Sequence, residues 1–268
     1  MRAHPLVWLV LAGAAAWIGL RRFERFMLFV PSRGVSVLPG AYGLPWEPLW
    51  LTAEDGVRLR AWWLPGPRPD APVMLCLHGN GGNLSSRVEK MRLFRQAGAA
   101  QLWLDWRGYG ESGGAPDEPG LYRDARAGWF WLTEARRVAP SRVVLYGESL
   151  GAGPAVELAS EVAAAALIVD SGFTSVPDMA KVVLPWFPSG LARARFDNLS
   201  KLPRVAIPKL FLHSPQDDVV PYEQARRNFA AAAEPKRFVD LKGGHNDGFL
   251  EMGPAYPAAI RDFLAALR

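Results

Sequence analysis

The sequence predicts an α/β domain, a mostly parallel sheet with helices on both faces. Three observations carry that expectation. Short apolar runs alternate with longer helix-like stretches from residue 73 to the end, and such alternation builds parallel sheets through helical crossovers. Runs such as Val73-Met74-Leu75-Cys76-Leu77 and Val143-Val144-Leu145-Tyr146 are continuously apolar, as strands covered on both faces are. Half of the 268 residues are apolar, ample for one large core or two small ones.

The chain opens on an uninterrupted apolar stretch, Pro5 to Leu20, slightly short of the roughly 20 residues that cross a bilayer. Beyond Arg21-Arg22, residues Phe23, Phe26, Met27 and Val30 fall at i, i+3, i+4 and i+7, with Arg21, Arg22, Glu24 and Arg25 on other faces. That spacing predicts an amphipathic helix suited to a membrane interface. Residues 1–30 are therefore expected to be a membrane anchor with an amphipathic continuation. A cleavable signal peptide competes, because Ala14-Ala15-Ala16 offers a small-residue cleavage site. Against it, Arg2 alone forms the positive n-region, and the amphipathic continuation has little purpose in a cleaved product. More arginines follow the stretch than precede it, which places the main domain, residues 31–268, on the cytoplasmic side.

Residues 31–48 are rich in Pro and Gly and read as a linker or wrapped loop. Leu49 to Thr52 and Val57 to Trp63 read as strands joined by a turn at Asp55-Gly56. Strands follow at 73–77, 100–105, 143–146, 165–170, 207–213 and 237–241. Helices fall at about 85–97, 120–138, 152–159, 222–233 and 255–268. One segment breaks the alternation. Residues 171–204 are too long for a simple connection, and hold Phe173, Val176, Met179, Trp186 and Phe187 with Pro185 and Pro188. A Pro-broken apolar insertion after a strand's C-terminal end is expected to form a small cap, with Phe173, Trp186 and Phe187 as candidates to touch a substrate. A surface helix pair without that contact is the plainer alternative.

Composition excludes several functions. The net charge of +5 is modest and no long basic stripe is present, so no nucleic-acid partner is expected. The single cysteine, Cys76, excludes an intramolecular disulfide, and its place in an apolar run makes it an inert core thiol. The four histidines are scattered, without zinc-ligand spacing, and neither a metal nor a cofactor is expected. Most of the eleven tryptophans read as packing.

The chemistry-bearing motif is Gly147-Glu148-Ser149-Leu150-Gly151. An apolar strand precedes it and a helix follows, the setting of a nucleophile elbow. The glycines let strand and helix approach closely while the serine stands on a strained turn. Its base should be a histidine on a loop near the chain's end, and His245 sits in Gly243-Gly244-His245-Asn246-Asp247 directly after the last strand. His78 and His213 end strands and are the weaker candidates. The acid is open between Asp170 and the pair Asp217 and Asp218, since the chain order Ser…Asp…His fits either place. Asp247 is too near His245 in sequence. The oxyanion hole needs two backbone N–H donors. Leu150 follows the nucleophile at a helix start, and Asn80 lies in the glycine-rich loop His78-Gly79-Asn80-Gly81-Gly82-Asn83. A phosphate cradle is the alternative for that loop, but neither G-K-[ST] nor a well-placed G-x-G-x-x-G is present.

These residues resemble the α/β-hydrolase superfamily. More narrowly they resemble the membrane-anchored α/β-hydrolase domain-containing serine hydrolases related to the bud-emergence suppressor proteins. The resemblance runs from about residue 29 to residue 268. It is carried by Asp55-Gly56-Val57-Arg58-Leu59, the 78–83 loop, Asp105-Trp106-Arg107-Gly108-Tyr109-Gly110-Glu111-Ser112, the elbow, Phe173-Thr174-Ser175 and His245-Asn246-Asp247. The group's acid motif resembles H-G-x-x-D-x-x-V-P. His213, Asp217, Val220 and Pro221 match it, which selects Asp217, while Ser214 replaces the usual glycine. Trp106 stands where tyrosine is common. The resemblance implies a serine hydrolase of carboxylic esters or thioesters. The expected substrates are lipid-like acyl compounds such as monoacylglycerols, lysophospholipids or S-acyl groups on proteins. Serine at the elbow argues against the dehalogenase and epoxide-hydrolase branches, which need a carboxylate nucleophile. A serine peptidase is the enzyme alternative. A membrane-tethered binding scaffold is the non-enzyme one, although a scaffold need not retain serine, base and acid together.

Overall fold

The computed structural model describes residues 5–267, with side chains described from residue 11. Helix α1 (Pro5–Leu28) is continuous, so the apolar stretch and its amphipathic continuation form one element. Among the described residues no helix is long and apolar enough to cross a membrane. The described apolar side chains, 11–20, are followed directly by Arg21 and Arg22. Residues 1–4 of the expected anchor, and the side chains of 5–10, lie outside the described residues.

Ten strands follow: β1 (Val30–Pro31), β2 (Glu47–Thr52), β3 (Arg58–Leu64), β4 (Val73–Leu77), β5 (Gly81–Gly82), β6 (Ala100–Leu104), β7 (Val143–Glu148), β8 (Ala166–Asp170), β9 (Lys209–His213) and β10 (Lys236–Asp240). Eight of them form one sheet in the order β10-β9-β8-β7-β4-β6-β3-β2. The pairs β2–β3 and β3–β6 are antiparallel and the rest parallel. The chain leaves β4 for β6 on one side and returns to β7 on the other. The crevice outside the C-terminal ends of β4 and β7 is therefore the topological switch point, where open α/β sheets place their ligands.

The helices are α2 (Val88–Gln96), α3 (Glu118–Phe130), α4 (Ala152–Ala159), α5 (Val176–Val183), α6 (Asn198–Lys201), α7 (Tyr222–Ala231), α8 (Gly248–Glu251) and α9 (Ala255–Ala265). Side chains alternate across each central strand. Val73, Leu75 and Leu77 of β4 join Val143 and Leu145 of β7 in a core covered by α3 and α4. Met74 and Cys76 join Val144 and Tyr146 in a second core, covered by α2 and α9. Cys76 is a free, buried thiol, and burial pushes its ionisation well above the ordinary range; it is inert as a nucleophile.

The segment after β8 carries α5, a turn at Ser189–Leu191 and α6. β1 and β5 form a separate two-residue parallel pair that ties the end of α1 to the 79–83 loop, with Val30 N donating to the Asn80 carbonyl at 3.1 Å. The sequence expectation of a wrapped loop at 31–48 missed this pair. Two residues without an apolar pattern carry no strand signal.

Candidate active site

Strand β7 delivers Ser149 to the switch point. Its φ of +50° lies in the left-handed region, a strain of about 1–3 kcal/mol that the surroundings must impose. They do so by close approach. A Cβ on Gly147 would sit 2.6 Å from the Ala155 Cβ of α4, and one on Gly151 would collide with the Leu77 carbonyl at the end of β4. Only glycine at both positions lets β4, β7 and α4 converge under the serine.

The Ser149 Oγ lies 3.0 Å from His245 Nε2, and His245 Nδ1 lies 2.8 Å from Asp217 Oδ2. With Nδ1–H donating to the carboxylate, Nε2 is free to accept from the serine hydroxyl. Asp217 Oδ1 accepts the backbone N–H groups of Val219 and Val220 at 2.9 and 2.7 Å. Burial raises the pKa of this carboxyl, but the His245 hydrogen bond and charge, with those two amides, bring it below its ordinary value. The other acid candidates are engaged elsewhere. Asp218 is exposed and accepts the His245 backbone N–H at 3.0 Å, which places the histidine loop. Asp170 Oδ2 accepts Tyr146 and Tyr256 hydroxyls at 2.6 and 2.7 Å, in a buried cluster with Lys90. Asp247 precedes the first turn of α8.

Two residues beside the acid gain roles that sequence reasoning had not given them. His213 is buried, and its Nε2–H donates to the Val220 carbonyl at 2.9 Å while lying 3.3 Å from Asp217 Oδ2. Burial lowers its pKa, so it serves as a neutral brace for the acid loop. Ser214, in place of the group's glycine, donates its hydroxyl to the Gly243 carbonyl at 2.5 Å. It thereby bonds the acid loop to the histidine loop.

Asn80 and Leu150 line the same pocket as Ser149 and His245. Leu150 lies in the first turn of a short helix, Ser149–Gly151, where backbone N–H groups lack intrahelical acceptors. The Asn80 amide belongs to the Gly79–Asn80 peptide, whose carbonyl accepts from His78 Nδ1 at 2.7 Å. Because a trans peptide directs N–H opposite to C=O, His78 fixes the direction of that donor. Trp106 Nε1 donates to the His78 carbonyl at 2.9 Å, and the Tyr109 hydroxyl donates to the Asn80 carbonyl at 2.8 Å. Tryptophan in place of tyrosine thus supplies a loop-positioning hydrogen bond.

Glu148, inside the elbow, points into a polar cluster. Its carboxylate lies 3.0 Å from Lys90 Nζ and 3.2 Å from Arg87 Nε. Burial opposes its ionisation, yet the two cations hold the carboxyl down at about 2. Lys90 Nζ also donates to Tyr146 and Asp170, so all three of its protons are used.

The pocket above Ser149 has a volume of about 280 Å³. Its polar end is formed by Asn80, Ser149, His245 and Asn246; elsewhere it is apolar except at Glu24. Phe173 and Phe187 line it, as the cap reading expects, but Trp186 does not: its side chain is 74% exposed. The helical register explains the difference, since Val176, Met179, Ala180 and Val183 of α5 carry the inward face and the break at Pro185 turns its successor outward. Among the described residues no cluster of His, Cys, Asp and Glu could hold a metal ion.

A family model described as alpha/beta hydrolase fold matches residues 72–202. An uncharacterized protein of Mycobacterium tuberculosis is 38% identical over 98% of this chain and 95% of its own length. The alpha/beta hydrolase domain-containing protein WAV2 of Arabidopsis thaliana is 32% identical over 96% of this chain and 91% of its own. Protein bem46 of Schizosaccharomyces pombe is 31% identical over 85% and 79%. Among solved structures, the Pyrococcus furiosus esterase Pf2001 superposes with a TM-score of 0.74 at 19% identity, covering 88% of this chain and 98% of that one; at that identity the likeness is one of fold.

Proposed function

The chain belongs to the α/β-hydrolase superfamily, in the group that includes WAV2 and bem46, and on that premise we propose that it is a serine hydrolase of carboxylic esters or thioesters with lipid-like acyl groups. The observation that carries this reading is the row from Ser149 Oγ through His245 to Asp217, set at the end of an apolar pocket. In the proposed mechanism His245 Nε2 takes the Ser149 proton as the hydroxyl oxygen attacks the acyl carbonyl. Asp217 holds the imidazole tautomer and stabilises the imidazolium that forms. The backbone N–H groups of Leu150 and Asn80 receive the tetrahedral oxyanion. His245 returns the proton to the leaving alcohol or thiol, and water, deprotonated by the same imidazole, releases the acid from Ser149. The helix α1, with Arg22 and Arg25 exposed on it, is proposed to hold the domain at a membrane from the cytoplasmic side.

The test is covalent labelling. A fluorophosphonate probe should label the protein at Ser149 and block turnover of a p-nitrophenyl ester, and Ser149→Ala should abolish both. Labelling that persists in Ser149→Ala would refute the assignment.

A further inference from the structure

Resting on that esterase reading, we propose that helix α1 is part of the substrate site: its inner face forms one wall of the acyl pocket, so that an unbranched acyl chain lies between α1 and α5. The residues of α1 that line the pocket are Leu20, Phe23, Glu24, Met27 and Leu28. Their spacing of i, i+3, i+4, i+7 and i+8 is one face of a helix. Facing them, Val176, Met179, Ala180 and Val183 of α5 repeat at i, i+3, i+4 and i+7. Two apolar helix faces over a single polar end suit a chain of methylenes whose carbonyl sits at Ser149. At about 30 Å³ per water-sized group, the 280 Å³ volume has room for an acyl chain of several methylenes.

The wall is fastened, not merely adjacent. Glu24 Oε1 accepts the backbone N–H groups of Arg193 and Ala194 at 2.7 and 2.8 Å, and Oε2 accepts from Arg21 at 2.6 Å. Both carboxylate oxygens are thus occupied, which allows a charged side chain to line an apolar pocket. Arg21 also donates to the Leu191 carbonyl at 3.0 Å. Phe26 lies on the other side of α1, 74% exposed and outside the pocket.

The experiment uses the full chain. Turnover of p-nitrophenyl acetate, butyrate, octanoate and dodecanoate is measured for the wild type, Met27→Trp, Met27→Ala and the outer-face control Phe26→Ala. Met27→Trp should lower kcat/KM for octanoate and dodecanoate at least tenfold more than for acetate, about the worth of two buried methylenes. Met27→Ala should move the preference toward longer chains, and Phe26→Ala should change nothing. A chain-length profile identical in all four proteins overturns the proposal, as does a parallel loss of acetate and octanoate in Met27→Trp with Met27→Ala unchanged. Binding of a fluorescent fatty acid to Ser149→Ala, with and without Met27→Trp, reads the wall without turnover. Tenfold weaker binding in the double variant supports the wall even if the serine reading fails, and equal binding rejects it.

Discussion

At the scale of single residues, the site turns on which carboxylate faces His245. Three aspartates stand open in the sequence as the acid, and their partners separate them: a histidine ring for Asp217, a backbone amide for Asp218, two tyrosines and a lysine for Asp170. If Asp217 is the acid, Asp217→Asn should lower kcat by about 10⁴, because the amide favours the wrong imidazole tautomer. The same replacement at Asp170 should act on stability. The pH dependence of folding has a defined sign. The folded Asp217 carboxyl titrates below its ordinary 3.8, so its stabilisation is complete above that value and disappears as pH falls through the folded value. Urea midpoints of wild type and Asp217→Asn should therefore differ at pH 7, begin to approach each other below about pH 3.8, and coincide once the pH has fallen through the lower folded value. A gap that persists to lower pH would mean that the charge of Asp217 is not what stabilises the loop.

At the scale of elements, the strand–turn–helix around Ser149 was legible because its glycines have one physical use, the approach of β4, β7 and α4. The cluster beneath it was not legible. Glu148 lies 58 residues from Lys90 in the sequence and further still from Arg87, and only the fold brings them together. Glu148→Gln would leave Arg87 without its carboxylate and Lys90 with the Asp170 carboxylate alone, and breaking a buried pair in this way costs up to about 3–5 kcal/mol. Denaturant unfolding should report a loss of that order at pH 7. The contribution is present above the ordinary 4.5 of the carboxyl and is lost as pH falls toward about 2. A loss under 1 kcal/mol would show that the cluster merely breaks even. Asp217 was legible only through its resemblance to a known acid motif, since spacing alone left Asp170 open. Trp186 illustrates the opposite limit. Aromatic residues in a Pro-broken insertion advertise a cap, but which ring turns inward depends on a helical register that composition does not carry.

At the scale of the whole molecule, the site is assembled from distant stretches, with Ser149 and His245 96 residues apart and α1 closing the pocket from the other end of the chain. The sequence presents α1 as one amphipathic stripe, with Phe23, Phe26, Met27 and Val30 on a common face. The structure divides that stripe, because its partner is the cap on one side only. Phe23 and Met27 line the pocket while remaining about two-fifths exposed, at 41% and 39%, and Phe26, at 74%, lies outside it among exposed Leu11, Trp17 and Ile18. This exposed apolar surface, flanked by Arg22 and Arg25, is what the proposed membrane attachment has to use. Apolar and electrostatic attachment differ in their response to salt, since at 1 M the Debye length shrinks to about 3 Å and surface charges are screened. Full-length protein mixed with anionic vesicles should sediment with them, and most should remain bound in 1 M salt. Trp17→Glu with Phe26→Glu should release it at low salt, while ester turnover in solution persists because neither side chain lines the pocket. Complete release of the wild type by salt alone would reduce the attachment to its arginines and remove the apolar anchor from the account.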